Sequence, residues 1–186
     1  MAGIGHNSGQ VDAPGHSYRA VAWQKARAAL LPNLPIEVVR LRVKRAQALG
    51  LPYRTYAGIR ASTGHDLIGF LFSSNALRIL RDADAMPADR AAKLAGIVAD
   101  RTALCQPCVT PDHLAGLPVI DAAHGAPATT LTWAATRDHL KAVAKARGHA
   151  ADRFVVVGET ALERDWVAAM GAAGWVAGDA FFDAGA

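Results

Sequence analysis

The chain has 186 residues, of which 52% are hydrophobic and 19% charged, and a net charge of +4. This excludes a disordered tail and allows one compact domain or two small ones with a buried core. No apolar run reaches the roughly 18 residues that span a bilayer, so no membrane partner is expected. Met1 to Asp12 lacks the basic and apolar regions of a secretory signal, so the expected location is the cytoplasm. Sparse aromatics and abundant alanine favour helices over a β-sandwich.

The net charge hides an asymmetry. Residues 1–92 carry +6 and residues 93–186 carry −2. Nine basic residues and one acid, Glu37, fall between Arg19 and Arg60. Such an excess suits a phosphate-rich partner, although a solvated helix surface explains it equally well.

In chain order, residues 1–16 read as a flexible leader, GIGHNSGQVDAPGH, with four glycines, one proline and no periodicity. Ser17 caps an expected helix to Leu31, ended by Pro32 and Pro35. A second helix is expected over 35–49, with Pro35 in its first turn and Gly50 beyond its end. A short third helix follows over 52–61, closed by Ser62-Thr63-Gly64. The stretch DLIGFLFSSNALRILRD is open between two readings. Ile68–Phe72 is either a buried strand followed by a capped helix, or part of one helix over 66–80. Ser73-Ser74-Asn75, a good cap and a poor helix interior, tips the choice towards the strand.

A helix is expected over 87–104, then a loop over 105–128 broken by an apolar segment at 117–120. Thr129–Trp133 reads as a strand and 136–147 as a helix. RFVVVGE is the clearest strand, its three valines fitting a sheet covered on both faces. A helix over 162–172 and a strand over 175–182 complete an alternation that signals a parallel sheet. The expected fold is therefore α/β: a leader (1–16), a basic helical region (17–64), and a small, mostly parallel sheet with covering helices (65–186).

Residues 42–61, RVKRAQALGLPYRTYAGIRA, resemble the helix-turn-helix segment of DNA-binding proteins. Ala46 precedes the turn glycine Gly50 by four places, and Leu49, Leu51, Tyr56 and Ile59 supply the apolar lock. The resemblance implies that Tyr53, Arg54, Thr55 and Gly58 face a major groove, with Arg40, Lys44, Arg45 and Arg60 near phosphates. Arg45 departs from the motif, which has an apolar residue there, and Gly58 costs a helix about 1 kcal/mol relative to alanine.

GIGHNSG resembles the N-termini of assorted small bacterial proteins, which implies a recognition tag or a backbone wrap for a phosphate. FLFSSN and FVVVGET each place small polar residues after an apolar strand, making Ser73, Ser74, Asn75 and Glu159 a candidate ligand loop. This pattern resembles haloacid-dehalogenase-type phosphohydrolases, with Ser73 or Ser74, Lys141 or Lys145, and Glu159 in matching order. The paired aspartates of that family's nucleophile motif are missing after the first strand; Asp82 and Asp84 have the spacing but not the position.

Cys105-Gln-Pro-Cys108 is a C-x-x-C pair, and a zinc site would need two more ligands, such as His113 and His124. Their spacing matches no familiar finger, and a redox pair lacks a clear thioredoxin-like strand before and helix after it, so the thiols read as incidental, with Cys105, Cys108 and His113 kept as candidate ligands. No cofactor is expected. The preferred function is a non-enzymatic, nucleic-acid-associated or regulatory protein binding through its basic helices. The alternatives are a phosphohydrolase-like enzyme or degenerate relative, and an adaptor that binds another protein through its leader.

Overall fold

The structure, a computed structural model of the chain, describes residues 34–183. The leader and the helix expected over 17–31 lie outside them. The chain divides into two compact units, Met1–Val39 and Arg40–Ala186. Of the first unit, Leu34, Pro35 and the start of helix α1 (Ile36–Ala48) are described. The second holds the remainder of α1 and everything that follows.

The second unit is an α/β fold around five parallel strands. These are β1 (Gly69–Ser73), β2 (Asp100–Cys105), β3 (Ala122–Gly125), β4 (Phe154–Gly158) and β5 (Gly174–Ala177). Their order across the sheet is β3-β2-β1-β4-β5. Gly69 pairs with Asp100 on one side and Phe154 on the other, which places β1 at the centre between β2 and β4. A Cβ on Gly69 would lie 2.6 Å from the Asp100 Cβ, so only glycine fits that register.

Side-chain alternation along the strands builds two cores. Phe70, Phe72, Val155 and Val157 face one core, which they share with residues of α1, α2 (Tyr53–Thr63), α3 (Ala88–Ala95), α4 (Pro111–Ala115) and α7 (Gly178–Asp183). Leu71, Leu104, Phe154 and Val156 face the other, against α5 (Trp133–Ala146) and α6 (Ala161–Met170). Burial on both faces is why these strands read as continuous apolar runs. The short α7 is anchored by aromatic contacts: the Phe181 ring lies 5.2 Å from Phe70 and 5.4 Å from Phe72, distances at which edge-to-face pairs are favourable.

Several expected elements differ. The strand at 69–73 forms, but Ser74 to Arg78 is a turn rather than the start of a helix, and Arg78 takes φ +57°. The helix expected over 87–104 stops at Ala95, and Asp100–Cys105 is a strand. Thr102–Cys105 is apolar enough for either element, and its place between β1 and β3 decides. The expected loop over 105–128 contains α4, capped by Thr110, and strand β3. Thr129–Trp133 is not a strand: Thr132 caps α5 by accepting from the Ala135 N–H. The final strand ends at Ala177 and turns directly into α7.

Candidate functional sites at the two edges of the sheet

Because all strands are parallel, their carboxyl ends share one edge. The order reverses between β1 and β4, the switch point where doubly wound sheets hold ligands. Ser73, Ser74, Asn75 and Glu159 are brought together there, as the candidate ligand loop requires. Both serines are fully buried and already used: Ser73 Oγ accepts from the Ala76 N–H, and Ser74 Oγ from the Gln106 N–H.

The organising group is one the sequence reading missed, Glu163. It sits in the first turn of α6 and is completely buried. Its Oε2 accepts the backbone N–H groups of Glu159 (2.7 Å) and Thr160 (2.9 Å), while Thr160 Oγ1 accepts the Glu163 N–H. This is a capping box. Its Oε1 accepts from Asn75 Nδ2 and Gln106 Nε2, both at 2.8 Å. One carboxylate thus ties together the loops after β1, β2 and β4. Burial alone would raise its pKa, but the N–H donors of Glu159 and Thr160, with Gln106 and Ser73, outweigh burial and hold it below the usual range. T-x-x-E before an apolar run was a legible cap signal; the long-range partners were not.

Beside this knot lies a charged quartet. Asp179, at the start of α7, pairs with Arg78 at 2.8 Å and with Arg90 at 2.6 Å. Glu159 stands 4.0 Å from Arg78 and 3.9 Å from Arg90. Its Oε1 is buried without a hydrogen-bond donor among the described residues. Burial and the neighbouring Asp179 push the Glu159 carboxyl up, against the pull of the two arginines.

The opposite, amino edge carries the corner between α1 and α2, the segment in which a helix-turn-helix is expected. Helix α1 ends in a left-handed glycine, Gly50 at φ +66°. The Leu51 N–H returns to the Ala46 carbonyl at 3.0 Å, a C-cap that glycine makes without strain. Ala46, Leu49, Leu51, Tyr56 and Ile59 are all buried in the lock. Arg45, the departure from the motif, fixes the corner to the sheet. Its guanidinium donates to Asp66, to the Leu67 carbonyl before β1, and to the Val98 carbonyl before β2. Tyr56 donates to the same carboxylate at 2.7 Å, and Arg60 stands 3.6 Å from it. Burial would raise Asp66, but the Tyr56 hydroxyl and Arg45 hold it below its usual range.

Of the six candidate nucleic-acid contacts, Arg45 and Arg60 therefore turn towards Asp66, and Tyr53 packs against the core. Arg40, Lys44 and Arg54 are exposed. The phosphohydrolase-like set does not assemble. Lys141 and Lys145 line a hollow with Ala151 and Asp152, just before β4, at the edge opposite Glu159. Asp82 and Asp84 sit in the loop after β1, where they accept backbone N–H groups of Thr110 and of Leu80 and Arg81.

Cys105 is buried at the end of β2, and burial pushes its thiol up to about 11. Cys108 is exposed, and His113 Nε2 lies 3.3 Å from the Asp84 carbonyl. No three His, Cys, Asp or Glu side chains converge into a metal-sized group among the described residues. No described helix is long and apolar enough to cross a membrane. Known protein families, curated proteins and solved structures offer no match to this chain, so geometry carries the functional reading.

Proposed function

We propose that the protein associates with nucleic acid through the amino edge of its sheet, without chemistry of its own. The supporting observation is the closed α1–α2 corner, which leaves Lys44 and Arg54 exposed and without an ion pair among the described residues. Gly58 has open space around it, so the outer face of α2 offers close backbone approach beside Arg54. At the carboxyl edge Arg78 and Arg90 are already taken up by Asp179 and stand beside Glu159, which favours docking by the amino edge. The test is duplex affinity against salt. Binding should weaken steeply as salt rises, and Arg54→Ala should reduce it. Absence of binding to duplex and single strand at low salt would end this reading.

A second reading is favoured by one observation, the donorless buried oxygen of Glu159 at the switch point. A half-buried carboxylate with a raised pKa beside two arginines suits a small polar ligand that brings its own hydrogen-bond donor. A phosphate is the wrong class, because Glu163 already occupies the N–H groups at the start of α6 that would receive it. A thermal-shift screen of neutral and cationic metabolites against wild type and Glu159→Gln tests it: a hit must lose its shift in the variant.

A further inference from the structure

We propose that the hollow between the ends of α5 and α6 is a phosphate subsite of the nucleic-acid interface, an inference that rests on the reading above. The hollow measures about 460 Å³, and its walls include Lys141, Lys145, His149, Asp152 and Gly171. Lys141 and Lys145 are one turn apart on α5, so both ammonium groups project from the same side. Gly148, at φ +77°, turns the chain back, and the His149 N–H bonds to the Ala144 carbonyl at 3.2 Å, placing the His149 side chain on the same wall.

One acid lies within the hollow, Asp152, whose Oδ2 is 3.0 Å from His65 Nε2, so the two lysines face a single carboxylate. Neither Lys141 nor Lys145 has an ion pair among the described residues; Asp138, one turn back from Lys141, is bound to Arg137. A lysine pair beside a helix C-terminus also complements the helix dipole, but that role needs neither the hollow nor His149.

The His65–Asp152 pair also fixes where the hollow lies. His65 directly follows Gly64, the C-cap of α2, so the hollow lies on the amino edge beside the end of α2 that is farther from the α1–α2 corner. Arg54 begins α2, about 15 Å along the axis from its cap at 1.5 Å per residue. That cap, next to which the hollow lies, is therefore closer to Arg54 than the roughly 34 Å of one duplex turn.

The experiment is a salt titration of full-length protein on a fluorescent 20-base-pair duplex, comparing wild type, Lys141→Ala/Lys145→Ala and Arg54→Ala. Each lost phosphate contact lowers the log–log salt slope by about 0.9. The double variant should drop by nearly two, so that wild type loses roughly tenfold more affinity than the variant between 50 and 200 mM salt. Lys145→Glu, which changes the charge by as much as the double variant, should weaken binding comparably at an unchanged circular-dichroism melt. An unchanged slope in the double variant, while Arg54→Ala weakens binding, overturns the subsite and leaves the corner standing. No binding by wild type removes the reading and the subsite together. Inorganic phosphate that perturbs the His149 ring resonances, with no change in duplex slope, marks a free-anion site and also overturns the proposal.

Discussion

The side-chain amide of Asn75 donates to Glu163 Oε1 at 2.8 Å, joining residues 88 positions apart in the chain. Gln106 donates to the same oxygen from the loop after β2. A group that caps its own helix thereby also sets the spacing of three strand-end loops. The carboxyl edge is consequently a knot of internal hydrogen bonds, with the charged quartet of Arg78, Arg90, Glu159 and Asp179 at its side.

Removing that carboxylate should be costly. Glu163→Ala strands four donors: Asn75, Gln106 and two backbone N–H groups. A stranded buried donor costs about 1–3 kcal/mol, and water relieves the half-exposed amides, so the expected loss is roughly 3 kcal/mol. Glu163→Gln keeps one acceptor oxygen and should lose about half as much. Urea unfolding midpoints check both, and equal stability of Glu163→Ala and wild type would refute the joint.

The same group predicts an acid limb. Its folded pKa lies below the ordinary 4.5, so it adds stability that is fully present above that value and lost as the pH falls through the folded one. Asp66, depressed by Tyr56 and Arg45 against the cost of burial, acts with the same sign below 3.8. Glu159 acts in the opposite sense, because its folded value is raised. The stability gap between wild type and Glu163→Gln should therefore shrink from pH 7 towards pH 3. A constant gap across that range would assign the effect to packing instead.

At the amino edge, affinity and folding should separate. Lys44→Ala and Arg54→Ala alter exposed groups and should change the melting temperature little while reducing duplex affinity. Arg45→Ala breaks three hydrogen bonds that anchor the corner to the sheet and should destabilise the fold by roughly 1.5–3 kcal/mol. Thermal melts run beside binding curves distinguish the two effects. A variant of Arg54 that melts early but binds normally would reverse the assignment.

The thiols should differ in reactivity. Cys108 is exposed, whereas Cys105 is buried with its thiol pushed up to about 11, and the thiolate is the reactive form. A thiol reagent at pH 8 should label one cysteine per native chain and two after denaturation. Rapid labelling of both in the native state would contradict the burial of Cys105.

Much of the α/β plan follows from local residue patterns. The valines of β4 need cover on both faces, Gly50 and Pro52 punctuate two helices, and Thr160 with Glu163 announces a helix start. The site was partly legible as well, since small polar residues after β1 and β4 pointed to the switch point. Only the tertiary structure decided which segments of ambiguous pattern became strands. Asp100–Cys105 acquires its extended form from pairing with β1 and β3, partners that local propensity does not contain. It likewise decided which charges are spent. Arg45 and Arg60 look like Lys44 and Arg54 in the sequence, yet Asp66 takes up the first pair, because chain reversal after α2 brings that carboxylate beneath them. Electrostatic partnership depends on distances of a few ångströms across dozens of residues, and folding alone sets those distances.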